Sequence, residues 1–190
     1  MTVAAELCRD IAVEAVRRGA PGNVHELWAL LEHLSEVQPN LLVDVGSAPA
    51  VWWAWWSVCP NVIGVAPPDT GGFDAFPSGR LPSTVTWLIG RPADRWTAQR
   101  VIDQTGQRPV DVLVLSATDE AQAHTLWRMY APQVRPGGTV LVHGIANPAT
   151  PGLATFWRNL QTEDRKELVG ATDPDGYGVV TIPGQVNSNG

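Results

Sequence analysis

Lysine is nearly absent from this sequence: Lys166 is the only one in 190 residues. With 13 basic against 19 acidic side chains the net charge is −6. That leaves no basic surface with which to hold nucleic acid or an anionic membrane. Cysteine is scarce too. Cys8 and Cys59 lie far apart and outside any Cys-x-x-Cys spacing, so neither a disulfide framework nor a zinc site is indicated. Two buried thiols in a reducing compartment are expected instead. No apolar run reaches the roughly 18 residues that span a bilayer. Glu6 and Asp10 interrupt the first stretch in a way that a secretory leader does not show. A Gly-x-Ser-x-Gly elbow is missing, which removes the hydrolase reading. Together these absences lead to the expectation of a soluble, cytoplasmic protein.

Turn formers and tryptophan are what the chain has in excess, with 18 Gly, 16 Pro and 9 Trp. So much glycine and proline excludes a helical bundle or coiled coil, and their lack of period excludes collagen. The length suits one domain around one core. Four of the tryptophans, Trp52, Trp53, Trp55 and Trp56, fall within five positions.

Apolar residues at helical spacing (Leu7, Cys8, Ile11, Ala12, Ala15) predict a first helix, stopped at Gly19–Gly22. Asn23 and Glu26 have the spacing of a capping box and open a second helix through Leu27, Leu30, Leu31 and Leu34, ended by Pro39-Asn40. The period then changes. Short runs that are apolar on both faces read as strands of a buried parallel sheet: 41–46, 62–65, 85–90, 110–115 and 139–144. Helices fit between them at 50–58, 94–104 and 120–134, and a further one at 151–162 precedes strands at 166–171 and 177–183. The alternation predicts a Rossmann-like, doubly wound α/β fold. Its sheet is mostly parallel, has about seven strands and closes with a C-terminal antiparallel hairpin. The expected organisation is a single domain over 1–184, with a helical pair at 1–39, an α/β core at 40–184 and a polar tail at 185–190.

The strings LLVDVGSAPA, NVIGVAPPD, RPVDVLVLSATDE and APQVRPGGTVLVHGI resemble those of class I S-adenosylmethionine-dependent methyltransferases. Within that superfamily the sequence is most similar to small bacterial O-methyltransferases and cephalosporin-hydroxylase-like proteins, from about Leu41 to Pro183. The resemblance implies a cofactor loop after the first strand at Asp44, Gly46, Ser47 and Ala48, with Ala66, Gly90 and Ser116 lining the rest of the cofactor site. It also exposes departures. Ala50 stands where the loop's last glycine is expected. Ala66 replaces the acid that holds the ribose hydroxyls, and Asp69 follows three residues later in a turn. Asp94 is expected as a helix N-cap. Ser116 takes the place of a metal-binding Asp, Asp119 sits roughly where a His would follow, and His143-Gly144 replaces His-Asp. With those carboxylates gone no metal is expected, and His143 and Asp119 are the candidate bases.

Two functions follow from that pattern. One is a methyltransferase-like protein that has lost metal-dependent catalysis and acts in binding or assembly. The other is a metal-independent O-methyltransferase that uses S-adenosylmethionine on a small-molecule or sugar hydroxyl. Four indoles spread too widely around one helix to face a single sheet. Two are expected in the core. The remainder are expected to meet the N-terminal helices or a partner, either a second copy or another protein. His25, His33 and His124 are expected at the surface or an interface.

Overall fold

The computed structural model describes residues 3–20, 22–70, 82–162, 164–168 and 175–184. Two helices, α1 (Val3–Arg17) and α2 (Val24–Val37), precede β1 (Leu41–Val45), α3 (Pro49–Val58), β2 (Asn61–Ala66) and β3 (Val85–Ile89). Then come α4 (Arg95–Thr105), β4 (Val110–Ser116), α5 (Glu120–Tyr130), β5 (Val134–His143), α6 (Pro151–Asn159), β6 (Arg165–Leu168) and β7 (Tyr177–Thr181). Among the described residues the strands form one seven-stranded sheet in the order β3-β2-β1-β4-β5-β7-β6. β1 to β5 pair in parallel, while β7 runs antiparallel to both β5 and β6. This is the predicted doubly wound sheet with its C-terminal hairpin.

Strand side chains alternate between two buried faces. Leu42, Val112, Val114 and Leu141 join α1, α2 and α3 in one core layer. Val43, Val45, Leu113, Leu115, Val140 and Val142 join α4, α5 and α6 in the other. Because both faces are covered, the central strands carry almost no polar residues. Asp44 and Asp111 are the two carboxylates among the buried residues of β1 and β4, and each has amide donors. Asp111 receives the N–H groups of Asn40 and Leu41 at 2.8 and 2.9 Å and the Arg135 guanidinium at 2.5 Å, tying β1, β4 and β5 together at one end. Burial raises its pKa, but Arg135 and the two amides outweigh that and hold it below the ordinary value.

Two of the four clustered tryptophans lie in the core, as expected. Trp52 and Trp55 are fully buried. Trp52 lies flat against Gly64 of β2, where a Cβ would stand 2.2 Å from the indole, and meets the Trp87 ring edge-on at 5.7 Å. Trp53 packs beneath the Arg18 guanidinium of the first helical region, 5.1 Å from its ring centre. Trp56 is exposed and donates to Thr84 Oγ1 at 3.2 Å. Both cysteines are free and buried.

Three boundaries differ from the sequence expectation. α5 ends at Tyr130, followed by a single 3-10 turn over Ala131–Gln133, because Pro132 cannot continue an α-helix. β5 begins at Val134, five residues before the predicted start. Val110 pairs with Val134 but Val112 pairs with Thr139, so the intervening residues bulge out of the ladder, with Gly137 at φ +75°. α6 stops at Asn159 rather than Thr162. There the Arg165 guanidinium donates to the carbonyls of Trp157 at 2.7 Å and Leu160 at 3.0 Å, satisfying the helix end. The predicted strand over 166–171 is described through Leu168; the remainder, and the polar tail, lie outside the described residues.

Candidate active site at the carboxyl edge of the sheet

The strand order reverses between β1 and β4, and in open α/β sheets ligands settle beyond the carboxyl ends at that crevice. Gly46 forms its floor. It adopts φ +101°, donates its N–H to Val65 O at 2.9 Å, and stands so close to β4 that a Cβ would lie 2.4 Å from Ser116 O. Only glycine combines that torsion with that approach. Ser47 Oγ and Ser116 Oγ share a hydrogen bond at 2.9 Å, so the two sides of the crevice are bridged by hydroxyls.

Asp44 lies directly beneath. Its carboxylate takes the Trp55 indole N–H at 2.5 Å and the Ser47 backbone N–H at 3.2 Å. Complete burial pushes its pKa up from 3.8 to about 6, against the pull of those donors. Ala48 is the N-cap of α3 without a side-chain bond, and Ala50 is buried in the helix's first turn. Further along the edge, Ala66 is buried at the end of β2 and its carbonyl accepts from Gly90 N at 3.0 Å. Asp69 lies exposed in a turn closed by Thr70 N to Pro67 O. Asp94 caps α4 through the Trp96 N–H, as the sequence predicts.

The β5 side of the edge holds the predicted His143 together with two carboxylates that the sequence did not reveal, Glu26 and Asp175. His143 ends β5 beside Ser116 and opposite Tyr177 of β7, and its ring stacks on the Tyr177 ring at 4.7 Å. Asp175 precedes β7, with Oδ2 3.8 Å from His143 Nε2 and Oδ1 bound by the Asn147 amide. From α2, Glu26 enters the same space. One donor atom from each of Glu26, His143 and Asp175 falls within 4.8 Å of the others. Burial pushes the imidazole pKa below its ordinary value, with Asp175 pulling the other way. Burial also raises the Tyr177 phenol, reinforced by the charges of Glu26, Asp44 and Asp175. The imidazole and the phenol thus share their surroundings with the carboxyl groups of Glu26 and Asp175.

Sequence spacing marked Glu26 as a capping-box residue, and its backbone N–H does serve the cap, donating to Asn23 Oδ1 at 3.0 Å. Its carboxylate is also buried and places one oxygen near His143 and Asp175, a contact that no local spacing announces. The signal for Asp175 was its place two residues before a strand that pairs antiparallel with β5. Asp119 does not join this cluster: it is exposed and caps α5 through the Gln122 N–H at 2.8 Å. His33 and His124 sit on helices, the former 3.4 Å from Lys166 Nζ and the latter against Phe156.

No protein-family model matches the sequence, and no curated protein does either. Solved structures do match the fold. The O-methyltransferase TomG of Streptomyces achromogenes, involved in tomaymycin synthesis and solved with SAM, superposes with a TM-score of 0.66 at 14% identity, over 97% of this chain and 91% of its own. This is the class I methyltransferase fold. A Klebsiella pneumoniae protein described as a putative O-methyltransferase matches at a TM-score of 0.59 and 16% identity, over 96% of this chain and 91% of its own. MycE, a methyltransferase of the mycinamycin pathway solved with Mg and SAH, matches at 0.64 and 14%, over 94% of this chain and 55% of its own. In the methyltransferase fold the Gly46 loop and the His143 cluster occupy adjoining stretches of one sheet edge, joined through Ser116. No helix among the described residues is long and apolar enough to cross a membrane.

Proposed function

We propose that this protein transfers a methyl group from S-adenosylmethionine to a hydroxyl of a small molecule or sugar. The observation that carries the reading is the Glu26–His143–Asp175 cluster at the carboxyl end of β5. Bringing two carboxylates and an imidazole together, Glu26 buried and the other two partly so, costs stability, and a fold kept only for its shape has no use for that cost. Gly46, Ser47 and Ala48 would carry the cofactor with backbone groups, and the ends of β2 and β3 at Ala66 and Gly90 would border its nucleoside end.

In the reaction the acceptor oxygen forms a bond to the methyl carbon as the carbon–sulfur bond breaks. The electron pair stays on sulfur, giving S-adenosylhomocysteine. The acceptor's proton leaves to a group of the Glu26–His143–Asp175 cluster. Sulfonium is already an activated leaving group, so the protein's task is to align donor and acceptor and to strip the hydroxyl of its proton.

A non-catalytic reading takes support from different contacts. The Trp55 N–H already occupies Asp44, and the Ser47–Ser116 hydrogen bond spans the crevice. On that reading the N-terminal helices and the exposed Trp56 form a contact surface for a second copy or another protein. Calorimetric titration with S-adenosylmethionine and S-adenosylhomocysteine separates the two. Saturable binding that is lost in Gly46→Val is expected for the transferase. Absence of heat and of any thermal shift at millimolar cofactor would leave the binding-protein reading standing.

A further inference from the structure

We infer that Glu26, His143 and Asp175 form a binding site for one divalent first-row transition-metal ion. The inference deepens the methyl-transfer reading and rests on it for the ion's purpose, though not for its ligands. The donors come from three separate parts of the fold: the first turn of α2, the end of β5 and the residue two before β7. These are not the positions at which the family resemblance places its metal carboxylates, because Ser116 and Gly144 stand there.

Geometry favours an ion over direct pairing. The 3.8 Å between His143 Nε2 and Asp175 Oδ2 is too long for a hydrogen bond. It is, however, the separation of two ligands on one ion with bonds of about 2.0–2.2 Å, which stand roughly 3–4 Å apart. The Glu26 donor atom lies within 4.8 Å of both, so an approach of about an ångström closes the set. The outer contacts are those of ligands held in place. Asn147 engages Asp175 Oδ1 and leaves Oδ2 facing the ring, and the Tyr177 ring fixes the plane of the imidazole.

Chemistry narrows the ion. Two carboxylates and an imidazole make a mixed oxygen and nitrogen set, suited to Mn²⁺, Fe²⁺ or Zn²⁺. Mg²⁺ and Ca²⁺ prefer oxygen alone. Asp44 lies beyond Glu26 and Asp175, so three carboxyl groups stand near the Tyr177 phenol, surroundings that suit a cation. Three protein ligands leave coordination positions open, and an ion there would lower the pKa of a bound hydroxyl.

The test is equilibrium dialysis of the full chain against Mn²⁺ with electron paramagnetic resonance of the free ion, followed by displacement with Zn²⁺ and Mg²⁺. One ion per chain is expected, displaced by Zn²⁺ far more readily than by Mg²⁺. Asp175→Asn, Glu26→Gln and His143→Gln should each weaken it by about tenfold or more. Asp119→Asn, on the exposed cap, should leave it unchanged. Circular dichroism of each variant confirms that loss of binding is not loss of fold. No saturable binding by the unaltered chain, or binding that survives Asp175→Asn and His143→Gln in folded protein, overturns the site. S-adenosylhomocysteine titration in chelator runs beside it. Cofactor binding without Mn²⁺ binding defeats the metal site alone, and Mn²⁺ binding without cofactor binding defeats the methyl-transfer reading alone.

Discussion

Gly46 is the residue on which the crevice depends. An alanine there would hold a left-handed torsion, costing about 1–3 kcal/mol, and would press its methyl against a backbone carbonyl that is part of β4. Gly46→Ala is therefore expected to lower unfolding free energy by roughly 2 kcal/mol or more in a urea titration; an unchanged midpoint would refute the geometry. Asp44 makes a second prediction, on pH. Its pKa rises from 3.8 to about 6 on folding. Between those values the folded chain keeps a proton that the unfolded chain has released, so stability falls as pH rises through that window and stays lower at neutral pH. At about 1.36 kcal/mol per unit the effect reaches roughly 3 kcal/mol. Comparing the parent with Asp44→Asn from pH 4 to 7 should show the stability difference moving with pH in that sense, and a constant difference would sink the assignment. Both residues were legible from the first strand and its turn. Glu26 and Asp175 were not, because nothing local distinguishes a helix-cap glutamate or a turn aspartate from one that faces a histidine across the fold.

At the level of elements, the apolar runs announced β1 to β5, since a strand covered on both faces has few other compositions open to it, whereas β6 is polar and exposed. The start of β5 was hidden for a specific reason. Pro136-Gly137-Gly138 reads as a break, and a bulge uses the same residues. The clamp at Asp111 was equally invisible, as it joins amides before β1 to a guanidinium on β5. Asp111→Ala should cost about 2–4 kcal/mol, scaled from bonds to a charged acceptor and discounted for the partly exposed Arg135. Its pKa is lowered on folding, so its contribution exists above the unfolded pKa and fades as pH falls, opposite to Asp44. A melting experiment at pH 7 checks the loss. For α3, Trp52→Ala would empty the space over Gly64 and is expected to cost about 3–5 kcal/mol, against a much smaller effect for exposed Trp56→Ala measured the same way.

The whole molecule is a sheet sealed on both sides, and the first two helices are part of the seal rather than an appendage. Cys8, Ile11, Ala12 and Ala15 of α1 are buried in the same layer as Leu30, Trp52 and Trp55. Removing residues 1–19 should expose that layer, and the shortened chain is expected to lose its cooperative melting transition and to elute as aggregate in size exclusion. A sharp, monomeric transition would show α1 to be dispensable.

The antiparallel pairing of β7 with β5 has a consequence for the order in which the site comes into being. His143 faces Tyr177, and the amides of Gly144 and Ala146 reach back to Gly176 and Asp175, so the placing of Asp175 goes with that last pairing. Glu26, by contrast, is laid down before any strand. During synthesis the Gly46 crevice needs only β1, β2 and β4, while the cluster beside it waits until β7 has left the ribosome and crossed the sheet. A nascent chain would thus possess the glycine crevice well before the carboxylate–imidazole cluster, and the slow long-range closure of the hairpin sets when the two first stand side by side.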